Sequence, residues 1–241
     1  VKWVCERSEG HIADDQAHDM VVKAELGVDE AGKFVGVRSN SFNNVGAFLT
    51  TNGANSTRGV ARALCGTYIM PTIYGTGTAA LTNTVPVANY RAPGGAPGTY
   101  VLERIIDMAA RKAGIDPAEI RRKNHIPADA MPYTLPTGAS YDSGEFTALM
   151  DKCLKQADYE GVDVRKADAK KRGTLYGVGI SSTVDPSAGP GPETAELRFD
   201  PSGTVTVLVG STAGGQSHAT IYTQIVSHHL GIDADTISVV E

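Results

Sequence analysis

The feature that most constrains the fold is a run of glycine and proline directly ahead of a helical pattern. Residues 92–98 read Ala-Pro-Gly-Gly-Ala-Pro-Gly, with three glycines and two prolines. Proline fixes φ and lacks an amide donor, whereas glycine adopts backbone conformations that other residues avoid. Because apolar residues recur at helical spacing from about 99 to 113, the pattern predicts a tight turn that leads into an α-helix.

A second glycine-rich stretch, residues 210–218, has the sequence Gly-Ser-Thr-Ala-Gly-Gly-Gln-Ser-His and leads into a helical pattern over about 218–230. Free N–H groups at a helix N-terminus favour negative charge, and glycine lets the backbone approach an anion closely. Arg91, beside the first stretch, adds a planar cation suited to phosphate or carboxylate. Each stretch is therefore either an anion-binding loop or a turn that caps a helix, and spacing alone leaves both readings open.

The remaining pattern predicts an α+β fold with mixed sheets and packed helices. A β-hairpin is expected over 20–42, and residues 43–60 are expected to be loop or helix ends because they are rich in small and polar residues. Further helices are expected to start at Asp116 and at Ser143, the second with Cys153 on its apolar stripe. The other expected strands are residues 1–7, 174–183, 194–209 and 236–240, and short β-like pieces are expected over 72–90.

Charge and cysteine content narrow the range of functions. The chain has 22 Lys and Arg against 27 Asp and Glu, a formal net charge of −5, which argues against nucleic-acid binding. Cys5, Cys65 and Cys153 are far apart and form no Cys-x-x-Cys motif, so a disulfide framework is not expected and a cytoplasmic location fits. No apolar run approaches the roughly 18 residues of a membrane span, so none is expected.

Familiar catalytic motifs are absent from the chain. Neither glycine-rich stretch matches a P-loop or a dinucleotide fingerprint, and Gly-x-Ser-x-Gly and His-Glu-x-x-His do not occur. A metal site at His11, Asp14, Asp15 and His18 is less favoured than a polar surface turn, because no helical spacing focuses these side chains. A hydrolase with a free Cys or Ser nucleophile is the least favoured function.

The 241 residues allow one large domain or two small ones. A basic stretch interrupted by acidic residues predicts a solvated linker over 161–172, which would divide the chain into 1–160 and 173–241. Because the first residue is Val1 and not Met, we expect the chain to be a segment of a longer protein.

Six groups of short motifs follow one another along almost the whole chain: Val1-Lys2-Trp3-Val4, Asn44-Val45-Gly46-Ala47-Phe48, Thr82-Asn83-Thr84-Val85-Pro86 with Asn89-Tyr90-Arg91, Tyr100-Val101-Leu102-Glu103-Arg104, the run from Asp116 to Asn124, and Gly215-Gln216-Ser217-His218. In this order and separation they resemble the large, molybdenum-cofactor-binding subunit of the xanthine dehydrogenase, aldehyde oxidase and aerobic carbon monoxide dehydrogenase family. The resemblance implies the α+β fold of the molybdopterin-binding domain of molybdenum hydroxylases.

The resemblance also implies roles for both glycine-rich loops. Residues Asn89, Tyr90, Arg91 and Ala92 would form a first cofactor-binding loop in which Arg91 contacts the pterin, and Pro93 would face the substrate. A second cofactor-binding loop would consist of Gly215, Gln216, Ser217 and His218. The implied cofactor is molybdopterin, which bacterial members often carry in its cytosine dinucleotide form.

The activity implied is the hydroxylation of an aldehyde or N-heterocycle with water as the oxygen source. Electrons would leave through iron–sulfur clusters and FAD on partner subunits, in a dimer of heterotrimers. The family's catalytic glutamate, in a Gly-x-Gly-Glu context, would lie downstream of Glu241, and its Gly-Gly-x-Phe-Gly loop would lie upstream of Val1. We therefore expect this segment to be inactive on its own.

The chain departs from the family pattern in both loops. Many members read Tyr-Arg-Gly-Ala-Gly-Arg-Pro-Glu where this chain reads Tyr-Arg-Ala-Pro-Gly-Gly-Ala-Pro, and the usual Gly-Gln-Gly is Gly-Gln-Ser. The carbon monoxide type carries Cys at the position of Ala92, so copper-dependent carbon monoxide oxidation is not expected. These departures keep open an alternative, a non-catalytic cofactor-binding or assembly module of a degenerate family member.

Overall fold

The computed structural model describes residues 2–50, 53–89, 92–185 and 192–241. The chain divides into two compact units, an N-terminal unit of Val1–Asp185 and a C-terminal unit of Pro186–Glu241. The segment predicted as a linker, 161–172, instead contains helix α6, Val162–Lys171. Its acidic and basic residues pair one turn apart, as in Lys166–Asp163 and Lys171–Asp168, so a charge run that suggests a linker supports a helix here.

A three-stranded mixed sheet organises the N-terminal unit. Strand β1, Met20–Val28, pairs antiparallel with β2, Phe34–Gly46, which confirms the predicted hairpin. Strand β3, Ile73–Leu81, pairs parallel with the other edge of β2. Residues 43–60 were expected to be loop or helix ends; the start of helix α2, Asn55–Ala63, lies in this range, but the continuation of β2 to Gly46 was not expected.

Small residues in α2 and β3 explain why that helix was missed. A Cβ on Gly75 would lie 2.7 Å from the Cβ of Ala61, and one on Gly77 would lie 2.7 Å from Cγ2 of Thr57. The helix therefore packs almost directly on the backbone of β3. Such an interface needs small residues, so Val60 is the only large apolar residue of the helix and no long apolar run marks it in the sequence.

The main core of this unit lies between the sheet and helix α3, Gly95–Ala113. Helix α4, Pro117–Asn124, starts as predicted: Oδ1 of Asp116 accepts hydrogen bonds from the N–H groups of Ala118 and Glu119. The Glu119 side chain pairs with Arg122 instead of folding back onto the cap. The buried core residues are Phe34, Val37, Leu64, Tyr68, Met70, Leu102, Ile106, Ala110 and Ile120.

Three sequence-based expectations are wrong in the rest of this unit. Residues 2–6 form no strand and helix α1, Arg7–Ala13, begins at the end of the expected strand, and residues 174–183 form no strand. Strands β4, Tyr133–Thr134, and β5, Ser140–Tyr141, form a short hairpin ahead of α5, Phe146–Gln156. In α5 the buried residue is Met150, and Cys153 is exposed because neighbouring chain covers only one side of the helix.

The C-terminal unit repeats the same arrangement on a smaller scale. Strands β6, Ala195–Phe199, and β7, Val205–Val209, form an antiparallel pair, and β8, Ile237–Val240, lies parallel to β7. Helix α7, His218–Leu230, connects β7 to β8. These elements confirm the predicted hairpin, helix and last strand, and the two units together confirm the α+β class.

Among the helices within the described ranges, none combines the length and the apolar character needed to cross a membrane.

Candidate functional site

The first glycine-rich loop is described from Ala92 onward, and Tyr90 and Arg91 lie outside the described residues. Both Ala92 and Gly94 have a left-handed backbone, with φ of 53° and 75°. The Ala92 carbonyl accepts hydrogen bonds from the N–H groups of Gly95 and Ala96 at 2.8 and 3.4 Å. Pro93 thus lies in a tight turn whose backbone bonds are made within the turn.

Helix α2 forms the support on which this loop rests. A Cβ on Gly94 would lie 2.5 Å from Cα of Gly59, and a Cβ on Gly59 would lie 2.6 Å from Cα of Gly94. One turn further along α3, a Cβ on Gly98 would lie 2.6 Å from that of Ala63. The loop and α2 therefore touch backbone to backbone. Gly59 carries no sequence signal of its own, because its importance depends on a contact with a distant segment.

The segment ahead of this loop is held by backbone and amide hydrogen bonds. Gln16 bonds to the backbone on both sides of Val87, and the Val87 N–H donates to the Val45 carbonyl at 3.2 Å. The Asn44 side chain links Asp19, Gly46, Thr82 and Thr84, all at 2.6–2.9 Å. Asn89 follows directly and is exposed. These bonds set the position from which the chain enters the loop.

Behind the loop, α3 carries a buried ion-pair network. Oε1 of Glu103 accepts from the Tyr68 hydroxyl at 2.7 Å and Oε2 accepts from Nε of Arg121 at 3.0 Å. Arg121 also donates to Asp107 and to the carbonyl of Ile180, both at 2.9 Å. Burial raises the pKa of Glu103 while the Arg121 guanidinium opposes that shift. The network fastens α3 to α4 and is closed to solvent, so its role is to hold the helix behind the loop.

The first turn of α3 has no free amide donors to offer an anion. Gly95 and Ala96 donate to Ala92, Gly98 donates to Gly94, and Pro97 has no N–H. Of the two readings that the sequence left open for this stretch, an anion-binding loop or a turn that caps a helix, the backbone hydrogen bonds favour the capping turn. The sequence could not show it, because the same glycines fit an open or a closed turn.

The second loop has the opposite character. Gly215 and Ser217 have left-handed backbones, with φ of 98° and 62°, and Ser217 is the N-cap of α7 without a side-chain capping bond. Within residues 192–241, the structure gives no acceptor for the backbone N–H groups of His218, Ala219 and Thr220. The positive end of the helix dipole therefore faces outward with unpaired donors.

Side chains, not packing, shape the second loop. Nε2 of Gln216 lies 2.9 Å from Nε2 of His218, and Nδ1 of His218 lies 3.0 Å from Oε1 of Glu241. The Glu241 carboxylate also accepts from the N–H of Ala213 at 2.6 Å. An open depression of about 530 Å³ borders this network, and the residues that line it are Ala213, Gly215, Ser217, His218, Ala219, Val239 and Glu241.

The structure brings Gly215, Gln216, Ser217 and His218 together in one loop of the C-terminal unit. Glu241 is a site residue that the sequence did not indicate, because a glutamate after a strand is an ordinary surface residue. In the described part of the chain, no group of three or more His, Cys, Asp or Glu side chains is placed to hold a metal ion, and this includes the group around His11.

Comparison with known proteins identifies the family of the chain. The family model of the molybdopterin cofactor-binding domain matches residues 1–125, and a second such family model matches residues 152–241. The chain is 31% identical to the nicotine 6-hydroxylase large subunit of Paenarthrobacter nicotinovorans, over 99% of this chain and 31% of that protein. It is also 31% identical to the carbon monoxide dehydrogenase large chain of Hydrogenophaga pseudoflava, over 100% of this chain and 32% of that protein.

Solved structures agree with this assignment. Quinoline 2-oxidoreductase from Pseudomonas putida 86 matches with a TM-score of 0.87 and 27% identity, over 98% of this chain and 32% of that one. Carbon monoxide dehydrogenase from Oligotropha carboxidovorans matches with a TM-score of 0.81 and 26% identity, over 99% and 32%. The chain belongs to the molybdopterin-binding large subunits of the molybdenum hydroxylases, and it spans about a third of the length of these relatives.

Proposed function

We propose that the chain is the part of a molybdenum-dependent oxidoreductase that holds molybdopterin on two loops, 89–93 and 215–218. The single observation that carries this proposal is the row of N–H groups at His218, Ala219 and Thr220, at the start of α7, for which the described part of the chain supplies no acceptor. A helix N-terminus with free donors binds phosphate or another anionic group, and molybdopterin carries such a group. The roles proposed for Arg91, Pro93 and Gln216 follow the family resemblance.

Two positions that depart from the family pattern, Ala92 and Ser217, support the same function through their backbone conformation. Ala92 and Ser217 stand where family members usually carry glycine, yet both have positive φ, 53° and 62°. A non-glycine residue in this region costs on the order of 1 kcal/mol, so it persists only where the surroundings demand it. Both positions thus keep the left-handed backbone that glycine adopts readily, which supports two intact loops and disfavours the degenerate-module alternative.

When bound, the cofactor would supply the redox chemistry that hydroxylates the substrate with oxygen from water. This chain's own residues would bind and orient it: Arg91 and the α7 amides would hold its anionic groups, and Pro93 would border the substrate. No glutamate in this chain stands in the Gly-x-Gly-Glu context of the family's general base. We therefore propose that the general base comes from another part of the parent subunit and that this chain alone has no turnover.

The relatives suggest the finer details of the parent enzyme. The names of two of them, nicotine 6-hydroxylase and quinoline 2-oxidoreductase, refer to N-heterocycles, so an N-heterocycle or an aldehyde is the proposed substrate. The cytosine dinucleotide form of the cofactor, partner subunits that carry iron–sulfur clusters and FAD, a dimer of heterotrimers and a cytoplasmic location complete the proposal.

The test is a matched pair of variants in the full-length parent, purified with its partner subunits. Arg91→Ala removes the proposed pterin contact, whereas Arg104→Ala removes the same side chain from the exposed side of α3. Molybdenum is measured by mass spectrometry, and pterin and cytidine nucleotide are measured after release. We expect R91A to lose cofactor and activity together and R104A to match the wild type.

Two results would contradict the proposal. Full cofactor retention in R91A would remove Arg91 from the site. A wild-type parent without molybdenum that still assembles with its partner subunits would favour the non-catalytic module instead. Turnover of an aldehyde or an N-heterocycle by the isolated 241-residue chain would contradict the proposed external general base.

A further inference from the structure

One carboxylate joins the two ends of the second loop. Glu241 accepts a hydrogen bond from the Ala213 N–H through Oε2, at 2.6 Å, and lies 3.0 Å from Nδ1 of His218 through Oε1. Ala213 and His218 are the first and last residues of 213–218, the part of the second glycine-rich stretch that this carboxylate closes. The side chains of His218 and Glu241 are only 12% and 24% exposed, so this contact is partly shielded from water.

The carboxylate also determines which nitrogen of the His218 ring carries a proton. An ionised carboxylate only accepts hydrogen bonds, so Nδ1 must donate and the neutral ring leaves Nε2 as an acceptor. Nε2 of Gln216, 2.9 Å away, supplies the matching donor. The oxygen of the same amide, Oε1 of Gln216, accepts a hydrogen bond from the Gly214 N–H at 2.6 Å. Every contact in the chain from Glu241 to Gly214 then joins one donor to one acceptor.

The opposite arrangement breaks this pairing. If His218 carried its proton on Nε2, the Gln216 amide would have to turn over to present its oxygen. The amide nitrogen would then face the N–H of Gly214 at 2.6 Å, which sets donor against donor. The orientation of the Gln216 amide therefore depends on Glu241, although the two side chains do not touch.

We infer that Glu241 is a positioning residue for the second cofactor loop. It holds His218 in the Nδ1–H tautomer and, through His218, sets the Gln216 amide and the curl of residues 213–218. Both amide hydrogens of Gln216 are then committed, to His218 and to the Thr212 carbonyl at 3.3 Å. The backbone N–H groups at the start of α7 remain as the donors for an anion. The cofactor part of this inference rests on the proposed function.

The first test concerns the loop itself and needs no cofactor. Nitrogen-15 NMR of the 241-residue chain reports the His218 tautomer, and hydrogen exchange reports the Ala213 amide. We expect the Nδ1–H tautomer in the wild type. In Glu241→Gln the amide cannot accept from both ends of the loop, so we expect loss of the single tautomer and exchange at Ala213 faster by about tenfold or more.

Glu193→Gln is the matched control, because Glu193 is an exposed glutamate of the same unit outside the loop. It is expected to leave both signals unchanged. Unchanged circular dichroism would show that E241Q folds. A wild-type His218 with the proton on Nε2, or an E241Q variant with unchanged tautomer and exchange, would overturn the inference.

The second test concerns the cofactor and uses the full-length parent. E241Q is expected to retain clearly less molybdenum and pterin than the wild type through gel filtration, and E193Q is expected to retain as much. Full retention in E241Q with a loosened loop would overturn the positioning role. A wild-type parent without cofactor would instead contradict the proposed function, whereas the NMR result would still decide how the loop is held.

Discussion

The two glycine-rich loops share a sequence design, yet the structure holds them by different means. The loop at Ala92 rests on Gly59 of α2, backbone against backbone, and satisfies its own amides. The loop at Gly215 is exposed and is held by Glu241 through hydrogen bonds, with free N–H groups at its end. Packing gives the first loop a fixed shape, whereas the second keeps open donors.

The two units that carry these loops differ in how many apolar residues they bury. In the N-terminal unit, α3 lies over a continuous core and a buried ion-pair network. In the described part of the C-terminal unit, only Val205 and Val207 are buried hydrophobic residues. Because local stability follows buried apolar contact, we expect the first loop to tolerate far less change around it than the second. The predictions below test that difference.

The largest effect is expected for Gly59→Ala. Its Cβ would overlap the backbone of Pro93 and Gly94, and neither a backbone nor a helix can move aside cheaply. We expect a loss of roughly 1–3 kcal/mol in the free energy of unfolding, measured with urea. Gly177→Ala is the control, since its added Cβ would meet no atom within 4 Å and the change is expected to be nearly neutral. A neutral G59A would show that packing does not set the first loop.

An effect of similar or smaller size is expected from pH, and only in the N-terminal unit. Burial, followed by the nearby Arg121, lowers the pKa of His125 to about 4 from its ordinary value of 6.5. The folded state therefore favours neutral His125. The contribution of His125 to the free energy of unfolding is fully present above pH 6.5 and is lost as the pH falls towards 4. Between about pH 7.5 and pH 5 we expect a loss of about 2 kcal/mol in unfolding free energy.

Urea unfolding of His125→Asn at the same two pH values provides the check. The variant should lack most of this pH dependence, whatever its stability at the higher pH. Amide exchange should show the acid effect in the core around α3 and not in β7 or α7. An equal effect in both units would contradict the assignment to His125.

The smallest effect is expected where glycine is restored. Ala92→Gly and Ser217→Gly each remove left-handed strain but add freedom to the unfolded chain, so the gain is at most about 1 kcal/mol. Ser217 makes no side-chain capping bond that the change would lose. Thermal unfolding should show each variant at least as stable as the wild type. A clear loss in S217G would indicate a contact of the hydroxyl that the fold does not account for.

The sequence predicted what is encoded locally. Helices α3 and α7, the Asp116 cap and both antiparallel hairpins follow from spacing and turn residues over short stretches. Helix α2 was harder, because it packs on Gly75 and Gly77 of β3, and such an interface needs few large apolar residues. The strand expected at 174–183 did not form, since an alternating pattern cannot supply the neighbouring strand that it needs.

The same distinction between local signals and contacts with distant segments applies to the candidate site. The two loops were found from glycine, the helices behind them and the family motifs. Gly59 and Glu241 were missed because each acts through a contact with a residue far away along the chain, and neither residue type is unusual in its place. The sequence also does not show whether the amides at a helix N-terminus are free or hydrogen-bonded, because the difference lies in the φ angles of single residues.

The most direct test of the central claim is amide hydrogen exchange at the starts of α3 and α7, in the 241-residue chain and in the cofactor-loaded parent. We expect Gly95, Ala96 and Gly98 to be protected in both samples. His218, Ala219 and Thr220 are expected to exchange rapidly in the chain alone and to become protected in the loaded parent. Equal protection of the two helix starts without cofactor, or no added protection at α7 with it, would contradict the account.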